Sequence, residues 1–256
     1  MLEITGLTAG YPGKTVLNDL TLIAPSGSIT AVIGPNGCGK STLLKAACGL
    51  LPIASGNVSA AGIPLLPLPG KERAKKIAYL PQERQIPEIT VLRMVLHGRF
   101  PYLSYPRRYR AEDLRIARDA LARMGLSEYE DAPVSTLSGG MRQKVYIAMV
   151  LAQDTPAVLL DEPTTFLDVG HQLQMMREAE RLADDGKAVL LVLHDLTLAL
   201  RYCDRIAVME DGRIAAIGSP EEIFASGCID RVFGVRLCRV ETPDGWYYYC
   251  EGGGQR

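Results

Sequence analysis

Residues 34–41 read Gly34-Pro35-Asn36-Gly37-Cys38-Gly39-Lys40-Ser41, followed by Thr42 and the apolar run Leu43-Leu44. The run fits G-x-x-x-x-G-K-[ST] at every defined position. Before it lies the apolar stretch Ser28 to Ile33, read as a strand; after it the chain reads as a helix ending near Gly49 and Pro52. Strand, glycine loop and helix in that order make a nucleotide-binding α/β unit. A polyphosphate carries several negative charges, and such a loop meets them with backbone N–H groups and the positive end of a helix. Glycine allows the close backbone approach and the positive φ that the turn needs. Lys40 is then placed to reach the β- and γ-phosphates, and the Ser41 hydroxyl to sit on Mg²⁺.

Working outward, Leu2 to Leu7 and Thr15 to Ala24 read as further strands, punctuated by Tyr11-Pro12-Gly13 and Pro25-Ser26-Gly27. Lys76 to Leu80 reads as another. From Thr90 the character turns helical. Leu114, Ala117, Leu121 and Met124 recur at helical spacing, as do Val145, Ala148, Met149 and Ala152 after a Ser-Gly-Gly turn. Alternation then resumes: Ala157 to Glu162, a helix through Gln172 to Ala183, and the strand Ala188 to Leu193. A hairpin turns at Asp211-Gly212, and another near Pro243-Asp244-Gly245. The expected architecture is an α/β core interrupted by a mostly helical insertion over about residues 88–145.

The run Ala157-Val158-Leu159-Leu160-Asp161-Glu162 is an apolar strand ending in two acids. In a parallel sheet, ligands bind at the carboxyl ends of the strands. Asp161 is the candidate Mg²⁺ ligand, direct or through water. Glu162 is the candidate general base, or water-orienting group, for attack on the γ-phosphate.

Leu137-Ser138-Gly139-Gly140-Met141-Arg142-Gln143 closely resembles the LSGGQ signature of ABC ATPases. The resemblance covers nearly the whole chain in the family's order. Tyr11, 23 residues before Gly34 (34 − 11), resembles the aromatic platform that stacks on adenine, and Gln82 the Q-loop glutamine. Leu167-Asp168 resembles the D-loop and His194 the switch histidine. The resemblance implies a P-loop NTPase (RecA-like) core with an N-terminal antiparallel β subdomain and an inserted α-helical subdomain. Residues 1–256 would form one such domain, with the core over about 1–87 and 146–256. Gly34, Asn36, Gly37, Cys38, Gly39, Lys40, Ser41 and Thr42 would hold ATP. Ser41, Gln82 and Asp161 would hold Mg²⁺, and Glu162, His194 and Gln82 would serve hydrolysis.

The resemblance further implies that Leu137 to Met141, opening a helix, face the γ-phosphate on a second copy, so that two ATP molecules lie between head-to-tail protomers. Met141 departs from the family pattern, which has Gln there, while Ser138 and Gly140 are intact. Gly98 to Tyr102, Leu151 to Pro156 and Thr164 to Gln172 resemble importer ATPases of the iron-siderophore, haem and cobalamin group. The implied setting is the inner face of a membrane, beneath integral permease subunits fed by an extracytoplasmic binding protein. A soluble ABC ATPase acting on DNA or ribosomes is the alternative. A P-loop kinase or switch GTPase accounts for neither Leu137 to Gly140 nor His194.

Composition narrows the classes. Lys+Arg 28 against Asp+Glu 29 leaves a formal charge of −1, which argues against a general nucleic-acid coat. Mean hydropathy is +0.07, yet the longest apolar stretches, Val145 to Ala152 and Ala188 to Leu193, fall far short of the roughly 20 residues of a spanning helix. The start, Met1 to Leu7, has no basic region before an apolar one, so no export signal is expected. The six cysteines lack metal-like spacing and are expected as reduced thiols. Cys38, at a helix start beside Lys40, is expected to have a lowered thiol pKa, with alkylation there blocking turnover. Residues 98–123 hold seven arginines (99, 107, 108, 110, 115, 118, 123) against three acids, an excess of +4. They read as a solvated helical face, a permease-docking surface, or a patch near anionic head groups.

Overall fold

The computed structural model describes residues 1–82, 86–165, 167–243 and 245–252. The chain opens with strands β1 (Leu2–Tyr11) and β2 (Lys14–Ala24), joined where Gly13 adopts φ 77°. β3 (Ser28–Ile33) runs into the glycine loop and helix α1 (Lys40–Ala47). β4 (Ile53–Ala60) and β5 (Ile63–Pro64) return to the first hairpin, completing an antiparallel sheet in the order β2-β1-β4-β5. Sequence periodicity misses β4, because only its last three residues are buried and Gly56 replaces a side chain where β1 crosses. A Cβ on Gly56 would stand 2.5 Å from the Gly6 carbonyl oxygen.

Next come α2 (Gly70–Arg73), β6 (Ile77–Leu80), α3 (Val91–Leu96), α4 (Ala111–Arg123) and α5 (Gly139–Gln153). The helical segment therefore runs beyond residue 145, since α5 keeps its apolar spacing until Asp154 ends it in the left-handed conformation at φ 50°. β7 (Ala157–Asp161), α6 (Val169–Asp184), β8 (Ala188–Val192), α7 (Leu196–Tyr202), β9 (Arg205–Glu210) and β10 (Arg213–Gly218) complete the core. Helices α8 (Pro220–Ser226) and α9 (Cys228–Phe233) lead to a hairpin of β11 (Val235–Thr242) and β12 (Gly245–Gly252). Its turn residue Asp244, like Phe166 and the terminal Gly253 to Arg256, lies outside the described residues.

Among the described residues the central sheet has the order β10-β9-β3-β8-β7-β6, parallel except for β10 at one edge. β7 and β8 are buried at every residue, as expected of strands covered on both faces. Alternation sorts their side chains. Val158, Leu160, Val189 and Leu191 pack into a cluster with α3 to α6, while Ala157, Leu159, Ala188 and Leu190 pack with α1 and the antiparallel sheet. No helix among the described residues is long and apolar enough to cross a membrane.

The arginine-rich segment divides into four arginines paired with acids and three exposed ones. Arg99 is buried, with Nε 3.1 Å from Asp113 Oδ1, Nη1 donating to the Ala152 carbonyl, and its guanidinium 3.9 Å from the Tyr102 ring centroid. Arg115 pairs with Glu112 and Asp119, Arg118 with Glu130, and Arg123 with Glu178 and Asp185. Arg107, Arg108 and Arg110 stay exposed, with Arg107 over the Phe100 ring, so the excess charge is concentrated at residues 107–110 ahead of α4.

Candidate functional site

The sheet order explains the site. β3 lies between β9 and β8, β7 follows β8, and β6 flanks β7, so the loops leaving their carboxyl ends crowd together. They deliver the glycine loop, His194, Asp161 with Glu162, and Gln82 to one edge. A cavity of about 520 Å³ opens there. Tyr11, Lys14, Val16, Glu162 and His194 are among its lining residues, together with residues 36–42 of the glycine loop and α1.

Two loop glycines take conformations closed to other residues at low cost, Gly37 at φ 81° and Gly39 at φ 109°. Gly34 is needed for proximity, because a Cβ there would meet the Met209 carbonyl oxygen at 2.2 Å. Lys40 is buried and donates to the carbonyls of Gly34 at 2.7 Å and Pro35 at 3.0 Å. The loop thus curls around its own ammonium group, which leaves an anion a ready-made positive centre. Thr42 is buried one residue further into α1, and Asn36 lines the cavity.

Sequence reasoning missed what lies beneath this loop. The Asp211-Gly212 turn between β9 and β10 wedges in, with the Gly212 N–H donating to the Cys38 carbonyl and the Asn18 N–H to the Gly212 carbonyl, both at 3.0 Å. A Cβ on Gly212 would stand 1.9 Å from the Val16 carbonyl oxygen. The Asp-Gly dipeptide signalled the hairpin but nothing in it pointed to the loop.

Asp161, the last residue of β7, accepts from the Ser41 hydroxyl at 3.0 Å and from the Tyr79 hydroxyl at 3.1 Å. Burial pushes its carboxyl up, against the opposing pull of those two bonds. Burial also raises the Tyr79 hydroxyl, with the Asp161 charge adding to it, so Tyr79 remains a donor. Tyr79 is a second omission of sequence reasoning, since its only signal is a hydroxyl near the end of an apolar strand. Ser41 and Asp161 are hard oxygen donors of the kind Mg²⁺ takes, one or two from protein with the rest from phosphate and water. Among the described residues no cluster of three His, Cys, Asp or Glu offers a denser metal cage. Gln82 is not gathered to this pair; its amide nitrogen donates to Glu162 Oε2.

Glu162 leaves the strand at φ 49°, a strained conformation for a side chain that points into the cavity. Gln82 and the Thr165 hydroxyl, at 3.2 Å, bond to its Oε2, while His194 Nε2 meets its Oε1. A carboxylate so held, beside a cationic loop, can take a proton from an attacking water. Tyr11, at the end of β1, is 43% exposed at the cavity's mouth, open for a planar group to cover.

The Cys38 thiol does not behave as its position suggested. It is buried, and burial raises its pKa, outweighing Lys40 and the loop N–H groups. Low solvation works against the thiolate more than one helix end works for it.

Leu137 to Met141 do not line the cavity. Ser138 caps α5, accepting from the Met141 N–H at 3.3 Å, and Gly139 and Gly140 form the first turn. Met141 packs half-buried against the helical cluster. Asp168 caps α6, its Oδ1 accepting from the His171 N–H at 2.9 Å and its Oδ2 lying 2.8 Å from His171 Nδ1.

The family described as ABC transporter matches residues 17–165. The ferric enterobactin transport ATP-binding protein FepC of Escherichia coli (strain K12) is 41% identical over 93% of this chain and 88% of its own. The hemin import ATP-binding protein HmuV of Pseudomonas entomophila (strain L48) is 40% identical over 95% of this chain and 96% of its own. Among solved structures, dimeric MJ0796, a bacterial ABC transporter cassette, superimposes with a TM-score of 0.74 at 29% identity, covering 86% of this chain and 99% of that one.

Proposed function

We propose, from the premise that this chain belongs to the ABC transporter family, that it is the ATP-hydrolysing subunit powering import of a metal chelate through a partner permease. The chain is an ATP-binding subunit and an ATPase. The cargo class rests on relatives named for ferric enterobactin, petrobactin and hemin. The relatives reported above carry transport and import names, which favours this reading over remodelling of DNA or ribosomes.

One observation carries the mechanism: the cavity that gathers Lys40, Ser41 and Glu162 contains none of Leu137 to Gly140. A phosphate seated in the loop is covered on one side only, while a helix start with Ser138 and Gly139 exposed stands elsewhere on the same molecule. Two copies related by a twofold axis satisfy both, each presenting its Ser138–Gly140 turn to the other's ATP. Tyr11 stacks on the base. Lys40 releases its loop carbonyls and neutralises the β- and γ-phosphates. Ser41 and Asp161 hold Mg²⁺, which supplies charge neutralisation along the phosphates. Gln82 and His194 keep Glu162 aimed at the attacking water and feel its change of charge when that water gives up a proton. Hydrolysis removes the shared ligand, and the copies separate. The assembly sits on the inner face of the membrane against permease subunits, with an extracytoplasmic binding protein delivering cargo.

Glu162→Gln tests this directly. The variant binds ATP, turns over slower by roughly 10²–10⁴-fold as expected for loss of a general base, and accumulates as an ATP-dependent dimer in light scattering. A variant that hydrolyses ATP at the parental rate removes Glu162 from the role. Turnover stimulated by nucleic acid and unchanged by permease vesicles removes the import reading.

A further inference from the structure

His171 stands where the start of α6 meets the turn that opens α5. A Cβ built on Gly140 would lie 2.5 Å from both Cδ2 and Nε2 of the His171 imidazole and 2.9 Å from Cε1. The ring is therefore laid against the backbone that opens α5, and a side chain at 140 would have to displace it. On its other side the ring's Nδ1 is 2.8 Å from Asp168 Oδ2. The Asp168 carboxyl is held below the usual range by the His171 backbone N–H and then by the ring. One imidazole thus touches both helix starts, 31 residues apart in sequence (171 − 140). Beneath it a narrow crevice between α5 and α6 is lined by Met124, Ile147, Leu167 and Met175. The ring itself is 37% exposed, so it does not sit there to fill the core.

We propose that His171 is a positioning residue that locks the Leu137–Gly140 turn to Asp168 within one protomer, so that the turn reaches the partner's nucleotide from one fixed position. This rests on the two-copy reading above. Hydrogen-bond donors aimed at a phosphate across an interface must be placed to a fraction of an ångström. The two helix starts belong to separate helices of one cluster, and a ring wedged between them removes their relative freedom.

The test uses the full chain carrying Glu162→Gln, with ATP-dependent dimerisation followed by light scattering and monomer ATP affinity measured at protein concentrations too low for dimers. His171→Ala and His171→Leu should each raise the concentration for half-dimerisation about ten- to a hundredfold, as for a misplaced contact. Monomer ATP affinity should stay unchanged. His171→Asn places an N–H where Nδ1 was and should restore dimerisation to near the parental level. Either apolar variant dimerising like its parent overturns the role, as does Asn losing as much as Ala. If His171→Ala does not fold, His171→Leu, which keeps bulk over Gly140, decides alone. Failure of the Glu162→Gln parent itself to dimerise with ATP overturns the two-copy reading instead.

Discussion

The Ser41 hydroxyl donates to Asp161 Oδ1 across 3.0 Å, joining residues 120 positions apart. One belongs to the helix after β3, the other ends β7, and β8 runs between these strands. With Tyr79 closing on the second oxygen, both lone-pair sets of the carboxylate are directed before any nucleotide binds. The rest of the cavity shares this preorganisation, with Lys40 and Glu162 each held by protein partners that a substrate must partly replace.

That arrangement costs stability, which sets a pH-dependent prediction. The folded Asp161 carboxyl titrates above its ordinary value, so the folded state binds its proton more tightly than the unfolded chain does. Stability therefore falls as pH rises from the ordinary carboxylate value through the raised one. Asp161→Asn should abolish turnover and raise the nucleotide-free Tm at pH 7, by about 2–4 °C for each kcal/mol recovered. The gain should vanish as pH drops below both values. Thermal melts of parent and variant at pH 4 to 8 check this; a variant less stable at pH 7 refutes it.

Cys38 should be a poor target for alkylation. Its thiol is buried and its pKa raised, whereas Cys250 is exposed. Access decides between them, because burial raises the Cys250 thiol as well. With iodoacetamide at pH 7, mass spectrometry should find Cys250 modified first and ATPase activity kept while Cys38 remains unlabelled. Inactivation in step with Cys38 labelling would restore the reactive-thiol expectation.

The Arg99–Asp113 pair should prove structural. Both side chains are buried, and Asp113 Oδ2 also accepts from the Arg110 N–H at the start of α4. Asp113→Ala strands the guanidinium between Tyr102 and α5 and should cost about 3–5 kcal/mol in urea unfolding. Replacing both partners, Arg99→Met with Asp113→Leu, should cost much less. Equal losses for Arg118→Ala, whose partner Glu130 lies at the surface, would contradict this.

Local pattern made much of this protein legible. The glycine loop could be read because its chemistry needs consecutive residues: positive φ at fixed positions, an ammonium and a hydroxyl at the helix start. Asp161 and Glu162 could be read because a strand delivers its last residues to a sheet edge. The signature turn was visible as Ser138 capping a helix after which apolar spacing begins. None of this required knowing which strands pair.

The remainder was decided by contacts between segments far apart in the chain. Tyr79 reaches Asp161 only because β6 lies beside β7, and Gly212 supports Cys38 only because β9 lies beside β3. Seven arginines summed to a patch on paper, yet four of them end on acids that folding carries to them. Cys38 looked activated by its neighbours in sequence and is silenced by its neighbours in space. Charge and desolvation act through distance, and linear order specifies distance only within a turn or a strand; beyond that, packing decides which groups share a low-dielectric site and which atoms His171 touches.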